Sequence, residues 1–209
     1  MADSDRAARI TAATVGLVAL AGLAIQLAAS TAVAGQVSTA LWAMVRYFTI
    51  LTNLAVAIIF VAVALGAAWA RRSALLGGVT LAIILVGIVY GLLLRGLIEL
   101  SGGARLADLL LHTIVPILVP LWWITAAPKG NLRWRDPLVW SVFPLAYLVY
   151  ALLRGEADGI YAYPFINLAT LGWMRVLVNA LGIAIGFLVA GAAMVALDHR
   201  LGRRAPAVV

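Results

Sequence analysis

Six apolar runs, at about 9–34, 40–70, 74–99, 105–127, 137–154 and 171–197, take up most of this 209-residue chain. A helix crosses the hydrocarbon core of a bilayer with about 20 apolar residues, so each run has roughly the length of one span. Inside lipid a segment must satisfy its own backbone N–H and C=O groups, which makes each run a helix. The expected architecture is therefore all-α: a polytopic six-transmembrane-helix bundle forming one domain, 1–209, with no room for a separate soluble unit. The links, 35–37, 71–73, 101–104, 128–136 and 155–168, mostly carry Gly, Pro or charge, as loop chemistry requires. The first run is too long for a signal-peptide core and is read as a retained span.

Composition excludes the alternatives. Hydrophobic residues make up 65% of the chain and charged ones only 11%, against about 25% charged in soluble domains. There is no cysteine, which removes disulfides, thiolate nucleophiles and Cys-based metal sites. A single histidine inside the spans argues against a dedicated transition-metal site, and no cofactor is expected. The net charge of +7 comes from clusters between apolar runs rather than from one amphipathic face, so it reads as topology and not as nucleic-acid binding. Arg6 and Arg9, Arg71 and Arg72, Lys129, Arg133 and Arg135, and Arg200, Arg203 and Arg204 fall at the same side of the alternating spans. The positive-inside rule makes that side, with both termini, cytoplasmic. Glu99, Glu156 and Asp158 mark the other side, with Arg105 and Arg154 as exceptions. Trp122, Trp123, Trp134 and Trp140 fall where an interfacial aromatic belt is expected. Gly182, Gly186, Ala190 and Ala193 form a small-residue stripe suited to close helix packing.

Polar groups inside spans are costly and mark candidate sites. Here they are Arg46, Thr49, Thr52 and Asn53 in the second run, Arg95 and Glu99 in the third, Asp108 and His112 in the fourth, and Arg175 and Asn179 in the sixth. At about 1.5 Å of rise per residue, Thr49 lies about 13 Å and His112 about 10 Å from the non-cytoplasmic ends of their runs. Arg46, Thr49 and Asn53 share one helix face, and Asp108 precedes His112 by four residues on another. One outward-opening cavity would collect them. Asp108 is placed to hold one ring nitrogen of His112, leaving the other to take a proton from the Thr49 hydroxyl, the orienter–base–nucleophile arrangement of acyl transfer. Thr52 lies deeper and Thr113 sits on a diverging face. The structural alternatives are a packed histidine and a threonine bonded to its own helix. Arg95 and Glu99 read as a supporting i, i+4 pair, and His199 as a solvated tail residue.

Three segments carry a family resemblance: Arg46-Tyr47-Phe48-Thr49, Leu111-His112-Thr113-Ile114-Val115-Pro116 and Tyr163-Pro164-Phe165. In order and rough spacing they resemble, over nearly the whole chain, the androgen-induced protein family of intramembrane threonine hydrolases and its bacterial relatives. That family cleaves fatty acid esters of hydroxy fatty acids. The resemblance implies Thr49 as nucleophile and His112 as base, with Arg46 and Arg175 at basic positions of the family. Asp108 stands where animal members carry a different polar residue. Arg46, Asn53, Arg175, Tyr163 and Phe165 are the expected substrate-binding residues. The expected partners are membrane lipids and a lipid ester, in a bacterial plasma (inner) membrane. A transporter or a lipid-binding protein lined by the same polar residues is the alternative reading, although no inverted repeat supports alternating access.

Overall fold

The computed structural model describes residues 2–204, and no strand occurs among them. The helices are α1 (Ala2–Ala34), α2 (Val37–Met44), α3 (Phe48–Ala64), α4 (Ser73–Val89), α5 (Gly102–Leu109), α6 (Val115–Ala126), α7 (Asp136–Trp140), α8 (Val142–Asp158) and α9 (Leu168–Arg204). Single π-turns, Tyr90–Leu94 and Leu110–Ile114, extend α4 and join α5 to α6. Five of the resulting helices are long and apolar enough to cross a membrane, and the bent pair α2–α3 makes a sixth crossing if counted as one span. This is the polytopic helical bundle of an integral membrane protein.

The second run is not one helix. It breaks between Met44 and Phe48 and turns by 97°. The break persists because α8 captures the carbonyls that the end of α2 leaves without helical partners. Arg154 donates to Trp42 O at 2.5 Å, Tyr150 to Val45 O at 3.2 Å and Tyr147 to Arg46 O at 2.8 Å. Arg154, an exception to the charge pattern, is thus 5% exposed, lying 4.0 Å over the Trp42 ring and 3.5 Å from Asp158. Its charge serves packing rather than topology. The third run is shorter than expected, because helix ends at Leu94. Glu99 is outside it, so no i, i+4 pair forms, and Arg95 instead reaches Thr113 Oγ1 at 3.4 Å. In α9 Gly172 adopts φ 68°, a left-handed value open to glycine, and kinks the helix near its start.

α1 lies along α3, and α4 packs on α3 and α6. Cross-links gather the basic segments at one end of the bundle: Arg71 with Asp5 at 2.5 Å, Arg9 Nε to Ala64 O at 2.9 Å, Trp122 Nε1 to Ala8 O at 3.0 Å, and Leu132 N–H to Asp198 Oδ2 at 2.9 Å. His199 is bonded there too, 2.7 Å from Leu132 O, rather than solvated. Three of the four belt tryptophans are inside: Trp122, Trp123 and Trp140 are buried, and only Trp134 is exposed. Gly77 and Gly78 provide the slot for Trp140, since a Cβ at either would lie 2.7 Å from the indole. The stripe on α9 also differs from expectation. Gly182 and Gly186 meet nothing within 4 Å, whereas Gly191 is the residue pressed against Pro137 and Leu81.

Candidate functional site

The helix break creates the site. Because α3 starts afresh at Phe48, Thr49 sits in its first turn, 6% exposed, instead of in mid-span. First-turn amides have no carbonyl four residues back. The Phe48 and Thr49 N–H groups accordingly bond no backbone oxygen, while Ile50 and Leu51 already donate to Tyr47 O. Both amides face phenol oxygens instead, Phe48 N–H those of Tyr147 and Tyr163 and Thr49 N–H that of Tyr163.

His112 approaches from the π-turn between α5 and α6. Its Nε2 lies 3.2 Å from Thr49 Oγ1, and its Nδ1 lies 2.9 Å from Asp108 Oδ1. The second contact is at ion-pair distance but off the line of a ring N–H, so it is electrostatic rather than a straight hydrogen bond. Tyr90, in the facing π-turn, stacks on the imidazole at 4.1 Å with 19° between planes and donates its hydroxyl to Asp108 Oδ2 at 2.5 Å. Nothing in the sequence pattern singled out Tyr90; it looks like one more aromatic in an apolar run, and only the pairing of two π-turns sets it beside His112.

The π register has a chemical origin. Val115 N–H closes on Leu110 O, so the next bond in that register would run from residue 116 to Leu111 O. Residue 116 is proline and has no N–H. Asn53, fully buried one turn below Thr49, supplies the missing donor: its Nδ2 bonds Leu111 O at 3.2 Å and Thr49 O at 2.9 Å. One amide therefore ties the segment carrying Thr49 to the segment carrying His112.

No family model, curated protein or solved structure matches this chain.

Thr49, His112, Asp108 and Asn53 come together. Arg46 lies beside them but is engaged: it is 7% exposed, its two terminal nitrogens bond the Asp158 carboxylate at 2.9 and 2.8 Å, and it also donates to Ile160 O. Arg175 is exposed on α9. Tyr163 and Phe165 stack at 5.2 Å with 4° between planes, and Asn179 Nδ2 holds Phe165 O at 2.9 Å. Together they roof an apolar cavity beside Thr49. Burial pushes the Tyr163 phenol up, while the Thr49 N–H and hydroxyl facing its oxygen pull the other way more weakly. The remaining walls come from α4, α8 and α9. A hydroxyl, an imidazole with a carboxylate behind it, and two helix-start amides outside the backbone ladder form a set suited to attack on a carbonyl.

Proposed function

We propose that this protein is an intramembrane hydrolase of lipid esters, with Thr49 as nucleophile and His112 as general base. The observation that carries the reading is the 3.2 Å approach of His112 Nε2 to Thr49 Oγ1, with Asp108 2.9 Å behind the ring. An ester arriving from the lipid places its carbonyl at Thr49. His112 takes the hydroxyl proton as Oγ1 bonds the carbonyl carbon, and the carbonyl electron pair moves onto oxygen. The Phe48 and Thr49 amides exchange the phenol oxygens they face for that oxygen, a role Arg46 does not fill while it is paired with Asp158. Collapse expels the alcohol, which takes its proton from His112. Water then attacks the acyl-threonine with His112 again as base, releasing the acid. Asp108 and Tyr90 hold the imidazole throughout.

The resemblance to the androgen-induced protein family supports fatty acid esters of hydroxy fatty acids as a substrate class, and a bacterial plasma membrane as the location. The test is hydrolysis of such an ester by purified protein in detergent, comparing wild type with Thr49→Ala and His112→Ala. Turnover lost in both folded variants supports the assignment; full activity in Thr49→Ala refutes it. The apolar cavity alone also suits a lipid carrier, and an acyl adduct trapped on Thr49 separates the two, because a carrier forms none.

A further inference from the structure

We propose that the cavity beside Thr49 is an acyl-chain pocket that measures the substrate, accepting a medium-length unbranched chain and ending at Phe187. The inference rests on the hydrolase reading for its chemistry and on the cavity for its specificity. Asn179 holds Phe165 O, which sets the Tyr163–Phe165 loop level with Ala180 on α9; Phe187 lies two turns further along that helix, and Ser141, at the start of α8, lies two turns below Tyr147. Its empty space, counted out to and including the open mouth, is about 820 Å³.

The lining identifies the occupant. No charged side chain faces the cavity among the described residues. Of its hydroxyls, Ser141 donates to Leu138 O and Tyr147 to Arg46 O, so neither is free for a ligand. What remains is a hydrocarbon slot with the Thr49 and Tyr163 hydroxyls together at one end. A chain carrying a charge or polar groups along its length would lose hydration there without replacement. The charged or bulky part of the substrate stays outside the Tyr163–Phe165 roof, and the acyl chain goes in.

The length follows from α9. Ala180, Ile183, Ala184 and Phe187 face the cavity at helical spacing, with the alanines leaving room and the 3%-exposed Phe187 closing the inner end. Ala180 to Phe187 is about 10 Å along the helix at about 1.5 Å per residue. With C–C bonds of about 1.5 Å, each advancing the chain by somewhat less, that depth holds about eight carbons. Ala184 lies about 4.5 Å above Phe187 on the same rise.

The test measures kcat/KM for p-nitrophenyl butyrate, octanoate and palmitate with wild type, Ala184→Phe and Phe187→Ala in detergent. In parallel, it measures the thermal stabilisation of Thr49→Ala protein by methyl octanoate, with and without Ala184→Phe. Wild type should prefer octanoate. Ala184→Phe should shift the octanoate-to-butyrate ratio at least about tenfold toward butyrate, given how much each buried methylene contributes. Phe187→Ala should shift preference toward palmitate, and the opposite directions exclude a general folding defect. If wild type hydrolyses esters and neither variant changes the profile, the pocket is refuted and the hydrolase stands. If wild type hydrolyses none of them, but methyl octanoate stabilises the Thr49→Ala protein in a manner abolished by Ala184→Phe, the pocket stands and the hydrolase falls. Neither hydrolysis nor stabilisation refutes both.

Discussion

Replacing Asn53 by leucine removes the one donor among the described residues that reaches Leu111 O from outside its helix. Thr49 O, the other acceptor, is four residues upstream of Asn53 and keeps the helical bond from residue 53, so only the Leu111 carbonyl is orphaned. A buried carbonyl without a partner costs about 1–3 kcal/mol. The Asn53 Oδ1 atom is itself buried without a partner, and its removal offsets part of that cost. Interhelical hydrogen bonds in membrane proteins average only about 0.6 kcal/mol. The expected net loss is therefore about 1 kcal/mol, read as the midpoint of denaturation in detergent with increasing SDS. Pro116→Ala provides the decisive partner variant. It restores an N–H to residue 116, which gives the Leu111 carbonyl a local donor in either register: residue 116 itself in the π-turn, or residue 115 if the segment relaxes to α. Asn53→Leu should then cost little in the Pro116→Ala background, leaving a coupling of about 1 kcal/mol in the double-mutant cycle. Additive effects, or an Asn53→Leu protein as stable as wild type, would refute the argument that proline and asparagine together set the π-turn.

Tyr90→Phe keeps the ring stacked on His112 but removes the hydroxyl from Asp108; ester turnover should fall about tenfold with a displaced pH–rate profile, both read by steady-state kinetics. Gly191→Ala puts a Cβ 2.8 Å from Pro137 and should cost about 1–3 kcal/mol by overpacking. Gly186→Ala meets nothing and should be neutral or slightly stabilising, which the same SDS denaturation distinguishes. Burial lowers Lys129 to about 8 from its ordinary 10.5, against a weaker opposing pull from Asp198. Between those values the unfolded chain holds a proton that the folded one has released, so stability should rise with pH across that window and gain nothing more above it. For a half-exposed lysine the gain is on the order of 1 kcal/mol, and Lys129→Met should flatten the slope in melts at graded pH.

The architecture was legible because hydrophobic length is a local property. Six apolar runs need no knowledge of their neighbours to become helices, and the basic clusters that the sequence places together do meet at one end. The pairing of Thr49 with His112 was also readable, since charged and polar groups inside apolar runs must converge. Other features depended on partners distant in sequence. The 97° break before Phe48 is held by Tyr147, Tyr150 and Arg154 about a hundred residues away. Arg46 looked like a free cation until Asp158 came within 2.8 Å of it. Trp122 and Trp140 looked like belt residues until Ala8 and Ala74 offered carbonyls to their indoles. Sequence by itself thus determined the solvent, the number of apolar segments and the polar residues that had to meet. Tertiary structure alone decided where the helices break and which polar groups are already satisfied, because an unpaired carbonyl or charge takes whatever partner packing brings to it.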